Sequence, residues 1–97
     1  MIPLRLFKVT GESMLPSFRD GDYVLLWCWP KRFRVGQCVV VDHPDFGIII
    51  KRVKQVNADL SLVLHGDNAK HSTNSERLGR LEKNAVVGLV IGKVGCP

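Results

Sequence analysis

The chain has little of what marks a membrane, secreted or metal-binding protein. No apolar run approaches the ~20 residues of a membrane-spanning helix. Val39-Val40-Val41 and Ile48-Ile49-Ile50 are too short and lie among charges. The start, Met1-Ile2-Pro3-Leu4-Arg5, lacks the basic beginning, long apolar stretch and small-residue cleavage site of a secretory signal. A cytoplasmic protein without a membrane span is therefore expected. Cysteine is scarce. Cys28, Cys38 and Cys96 are odd in number and irregularly spaced, which excludes a disulfide framework and a zinc knuckle and leaves buried or free thiols. No metal or cofactor is expected. Helical periodicity is also scarce, and there is no repeat, low-complexity stretch or linker.

What is present fits a small globular domain. The 97 residues imply one domain over 1–97 with one modest core. Hydrophobic content of 45% and charged content of 24% are ordinary for such a domain. A net charge of +5 could favour an acidic substrate, nucleic acid or an anionic surface. The densest basic cluster, Lys31-Arg32-Phe33-Arg34, is short and reads first as a solvated loop, a weak signal for nucleic acid. Alternation dominates. Strands are expected over Leu4–Val9, Tyr23–Trp29, Gln37–Asp42, Ile48–Val56, Leu60–His65 and Val86–Val94, separated by turn residues at Asp20-Gly21-Asp22, His43–Gly47 and Asn57–Asp59. Gly66–Arg80 reads as a long polar loop, and Leu81–Asn84 as one helical turn. The fold class expected is mainly β, a small barrel-like or coiled-sheet core with little helix.

Two residues carry chemistry. Ser13 lies in Gly11-Glu12-Ser13-Met14-Leu15-Pro16, closed by Gly21-Asp22. Pro16 fixes its own φ and biases Leu15 away from the α region, so Ser13 belongs to a turn or a very short helical piece. A serine so placed either caps a helix, the commoner case, or is exposed as a nucleophile. In Ile48–Val56, alternation puts Lys51 on the face of Ile49 and Val53, with Arg52 and Lys54 on the other. A lysine between branched apolar residues either reaches water along its stem or loses water. Loss of water lowers its pKa and lets it take a proton from a serine hydroxyl. Serine needs such a base, and Ser-Lys pairs are an established solution.

These residues are similar to a known pattern. Gly11–Pro16 with Gly21-Asp22, then Ile50-Lys51-Arg52-Val53, then Gly66-Asp67-Asn68 followed by Ser72 and Ser75, resemble the ordered boxes of the signal peptidase I family. The Ser-Met and Lys-Arg boxes also occur in self-cleaving repressor peptidases of the LexA/UmuD type. The resemblance spans about residues 9 to 94. It implies Ser13 as nucleophile, Lys51 as general base, Ser72 as the residue that orients the lysine, and a structural ion pair between Arg52 and Asp67. The implied fold is the mainly β catalytic core of both groups. Departures are visible. Gly11 stands where a hydroxyl often helps the oxyanion hole, so the hole would rest on backbone N–H groups, including that of Ser13. Asn74 and Glu76 replace an expected Asp and Arg. Gln37 replaces an Asp after Gly36, and the Gly-Leu-Pro-Gly-Asp segment after Lys-Arg is missing. With no membrane anchor or large second domain evident, the chain resembles the minimal soluble branch, such as the nickel-type superoxide dismutase maturation protease.

Other constellations compete. Asp42-His43 with Ser13 would make a Ser-His-Asp triad, but the Gly-x-Ser-x-Gly elbow is absent and His43 beside Pro44 reads as surface. His65, Asp67 and His71 match no metal spacing. Trp27 and Trp29 share a strand face; Trp27 reads as at least partial core, and Trp29 is open. The function expected is a soluble serine endopeptidase with a Ser13–Lys51 dyad. It would act by limited proteolysis of an N-terminal extension on a protein precursor that docks as an extended segment. Ser72, Gly11, Met14, Pro16, Arg52 and Asp67 support the site. The oligomeric state is open. The alternative is a non-catalytic β-barrel module that binds nucleic acid or an acidic protein through the basic and aromatic surface; self-cleavage is disfavoured because few residues precede Ser13.

Overall fold

The computed structural model describes residues 2–30, 32–68 and 78–95. In chain order the elements are β1 (Leu4–Lys8), β2 (Tyr23–Trp27), β3 (Cys38–His43), β4 (Gly47–Val56), β5 (Leu62–His65), β6 (Arg80–Leu81), a short 3-10 turn (Lys83–Ala85) and β7 (Val86–Gly95). They form one seven-stranded sheet in the order β1-β2-β7-β3-β4-β5-β6, with every neighbouring pair antiparallel. The mainly β expectation holds.

Alternation produces two cores, one on each face. Val24 and Leu26 of β2, Cys38 and Val40 of β3, and Ile50 of β4 pack together on one side. On the other side lie Val39 and Val41 of β3, Val53 of β4, Leu62 and Leu64 of β5, Leu78 and Leu81. β3 thus has Val39, Val40 and Val41 all fully buried. A strand covered on both faces reads as a continuous apolar run, which is why its sequence does not alternate.

The first core is roofed by the β1–β2 connection, which contributes Val9, Met14 and Phe18. Its ends are fastened by Val9 N–H to the Asp22 carbonyl at 2.7 Å and Gly21 N–H to the Val9 carbonyl at 2.8 Å. Gly11 N–H donates to Asp20 Oδ1 at 2.8 Å. Gly11 and Gly21 adopt φ of +81° and +91°, the left-handed region that a Cβ disfavours. The Leu15–Pro16 peptide bond is cis. The hydrogen bonds at its ends hold the connection that carries Ser13 above the sheet.

Element ends differ from the sequence expectation for local reasons. β2 stops at Trp27 rather than Trp29. The chain turns there, with Cys28 N–H bonded to the Pro3 carbonyl and Trp27 Nε1 donating to the Trp29 carbonyl at 2.9 Å. Trp29 is therefore off the strand and 58% exposed, while Trp27 is 37% exposed. β5 begins at Leu62 rather than Leu60. Leu60 has φ of +71°, and Asp59 Oδ1 accepts both the N–H and the hydroxyl of Ser61, prolonging the turn. Leu81 belongs to β6, opposite Leu62, and the helical turn falls later, at Lys83–Ala85. Arg80 is likewise in β6 rather than in the loop; most of the expected loop, 69–77, lies outside the described residues.

His43 requires a correction. It is buried, not on the surface. Its Nδ1 accepts the Asp45 N–H at 3.0 Å, so the proton sits on Nε2, which donates to the Leu78 carbonyl at 2.7 Å.

Candidate functional site

Ser13 stands half-buried at the rim of a small cleft lined by Phe7, Thr10, Ile48, Ile49 and Ile50. The cleft forms because the β1–β2 connection crosses the sheet onto the first half of β4. Lys51 is the next residue on that strand, opposite Val39. It is 4% exposed. Its neighbours on the same face, Val39 and Val53, are fully buried. Burial lowers the Lys51 pKa below its ordinary value, since the ammonium loses water. Among the described residues no carboxylate forms an ion pair with it that would offset this. Lys51 follows Ile50 of the cleft wall in sequence but does not line the cleft, and among the described residues no hydrogen bond joins Ser13 and Lys51.

The third box closes on the first. Asn68 N–H donates to the Ser13 carbonyl at 2.8 Å, and Asn68 Nδ2 donates to the Glu12 carbonyl at 3.0 Å. The serine turn is thereby clamped through its carbonyls. Among the described residues, no acceptor takes the Ser13 N–H. That leaves a backbone donor beside the Ser13 hydroxyl, the kind of group that can hold an oxyanion.

Arg52 points to the opposite face from Lys51 and organises the support. Its Nε and Nη2 reach Asp67 Oδ1 and Oδ2 at 2.8 and 2.7 Å, a two-pronged ion pair. Nη1 donates to the Gly36 carbonyl at 2.6 Å. Nη2 also reaches Ser17 Oγ at 3.2 Å, and Ser17 Oγ donates to Asp67 Oδ2. The Arg52 guanidinium holds the Asp67 carboxyl below its ordinary range, and Asp67 in turn raises Arg52. One cluster thus joins the serine turn, β4 and the segment after β5.

The Arg52–Asp67 pair implied by the family resemblance is present. Gly11 supplies the left-handed turn before Ser13. Met14 is 1% exposed and anchors the turn in the core, while Pro16 is exposed. Ser72 lies outside the described residues, as do Ser75, Asn74, Glu76, His71 and Cys96. Ser17 was not singled out by sequence reasoning. Its only signal is its place directly after Pro16, which does not distinguish it from any turn serine.

The competing triad has no geometry behind it, because both ring nitrogens of His43 are engaged with backbone groups. No group of three or more metal-ligating side chains comes together among the described residues. Cys28 is half-buried and Cys38 buried, both as free thiols. Burial pushes the Cys38 thiol up, away from reactivity.

Residues 3–91 match the family described as Peptidase S24-like. The chain is also similar to a protein of Schizosaccharomyces pombe, the mitochondrial inner membrane protease subunit 2. The two are 30% identical over 108 aligned residues, covering 86% of this chain. The chain spans 60% of the length of that relative. No solved structure matches.

Proposed function

The chain belongs to the Peptidase S24-like family, and from that premise we propose that it is a serine endopeptidase in which Ser13 is the nucleophile and Lys51 the general base. The observation that carries this reading is Lys51 itself. It is 4% exposed, one residue along β4 from Ile50 of the Ser13 cleft, without a carboxylate partner among the described residues. A lysine buried without a carboxylate is costly to the fold and suited to holding a lone pair rather than a proton.

In the proposed reaction Ser13 Oγ attacks the scissile carbonyl while Lys51 Nζ takes its proton. The tetrahedral oxyanion is held by backbone N–H groups, including that of Ser13. Lys51 then protonates the leaving amine, and water repeats the sequence on the acyl-enzyme. Ser72 is assigned the positioning of Lys51. Arg52, Asp67 and Ser17 keep the serine turn and β4 in register and do not touch the reacting atoms.

The substrate is an extended segment of a protein precursor, trimmed by limited proteolysis. Strand β5 pairs with β4 only from Arg52 to Val56. Among the described residues, Gly47–Lys51 therefore pair with β3 alone. An extended peptide adding to that free edge would lie beside the Ser13 cleft. Among the described residues no helix is long and apolar enough to cross a membrane.

Exposure of the protein to a peptide library, read by mass spectrometry, tests the assignment. Cleaved sequences should be found with wild type, and none with Ser13→Ala at unchanged circular dichroism. The same peptides cut by Ser13→Ala would remove Ser13 as nucleophile.

A further inference from the structure

Away from the Ser13 cleft, three segments enclose a second groove. They are the β2–β3 connection, the turn between β4 and β5, and the 3-10 turn before β7. One cavity of the groove, about 450 Å³, is lined by Arg32, Phe33, Val56, Leu60 and Lys83. That size is within the range of ligand sites. Two adjoining hollows share Lys83; one adds Trp29, the other Asp59 and Glu82. None of these residues lines the Ser13 cleft. Val56 is five residues beyond Lys51 on β4, roughly 16 Å at about 3.3 Å per residue.

Two independent features make this groove more than a dent in the surface. The first is Leu60, 53% exposed yet held at φ of +71°. The left-handed region is disfavoured for a residue with a Cβ, and glycine or asparagine would occupy it more readily. An exposed leucine thus occupies a strained turn on the wall of an apolar cavity. Strain of this kind collects at binding sites. The second feature is charge. Arg32 and Lys83 border the apolar wall, and among the described residues neither has an ion-pair partner. At the far end Asp59 is already engaged, by Ser61 and by Arg80 at 3.7 Å.

We propose that this groove docks a short acidic segment of a partner protein that carries a bulky apolar side chain. The side chain lies against Phe33, Val56 and Leu60, with Trp29 at the rim. The carboxylate is met by Arg32 and Lys83. A peptide fits better than nucleic acid. Tracking a phosphate backbone calls for a run of cations, whereas here Glu82 and Asp59 border one end. The site stands independently of the Ser13 assignment.

The test is a display selection of random dodecapeptides against the Ser13→Ala protein, followed by fluorescence anisotropy of the enriched, labelled peptides. Enriched sequences should pair Asp or Glu with Leu or Phe. The double reversal Arg32→Glu/Lys83→Glu should weaken binding about tenfold or more, as expected for loss of hydrogen bonds between charged groups. Leu60→Asn should also weaken it while raising Tm, since relief of strain stabilises the turn; the higher Tm shows that the variant is folded. Peptides without acidic bias, or binding indifferent to both variants, would overturn the proposal. So would an oligo-dT probe that binds with the same sensitivity to both variants where the acidic peptides do not.

Discussion

At the scale of single residues, Lys51 is where stability and proposed chemistry oppose each other. Its pKa is lowered by burial from an ordinary 10.5. Between the lowered value and 10.5 the unfolded chain binds more protons than the folded one, so stability rises with pH across that window. Lys51→Met removes the buried ammonium and keeps the volume. It should raise Tm by a few degrees at neutral pH, with an advantage that shrinks as pH approaches 10.5. Thermal melts of both proteins across that range check it, and an advantage that stays flat or grows with pH contradicts it. Lys51 was legible in the sequence because strand alternation needs only its neighbours Ile49 and Val53. His43 was not. A Pro-marked turn reads as surface, and the carbonyl that takes its proton belongs to Leu78, 35 residues away. Ser17 escaped for the same reason, since its partners Arg52 and Asp67 are distant in the chain.

At the scale of elements, β4 serves two purposes through one period-two pattern. One face presents Lys51, and the other presents Arg52 to the cluster that fastens the serine turn. Asp67→Asn leaves Arg52 without its counter-charge and should cost about 1.5–3 kcal/mol, towards the lower end because the pair is partly exposed. The Asp67 carboxyl is held below 3.8, first by Arg52. Its contribution is therefore full above the unfolded value and lost as pH falls through the lowered one. Urea unfolding at neutral and at acid pH should show wild type ahead of Asp67→Asn in the first case and the gap closing in the second. A gap independent of pH would mean that Asp67 acts by shape alone. Strand β7 gives a second case. A Cβ on Gly88 would stand 2.8 Å from Leu26 Cβ and 3.3 Å from the Trp27 carbonyl. Gly88→Ala should cost about 1–3 kcal/mol by overpacking the β2–β7 contact, seen as a lower urea midpoint at unchanged m-value; an unchanged midpoint would show that β2 yields freely. Six of the strands were legible, with ends misplaced by one or two residues, whereas the two-residue β6 was read as loop and helical turn. The exceptions lie where side chains rather than propensity end the strand, as Asp59 does with Ser61 before β5.

At the scale of the whole molecule, a small mainly β domain followed from length, turn spacing and alternation. The strand order did not. β7 inserts between β2 and β3, a long-range pairing that no local pattern specifies. The two-sided burial of β3 depends on that insertion, and so does the crossing of the β1–β2 connection that carries Ser13 to β4. The ordered motifs around Ser13, Lys51 and Asp67 therefore named candidate residues that the local pattern alone could not place in space. The central claim is that Lys51 acts as a neutral base on Ser13. The most direct measurement is the pH dependence of kcat/KM on a peptide that the protein cleaves, for wild type and Lys51→Met. The account predicts a rate that rises with pH through one ionisation below 10.5, the ordinary lysine value, and no cleavage by Lys51→Met. Cleavage by Lys51→Met at the wild-type rate would contradict it.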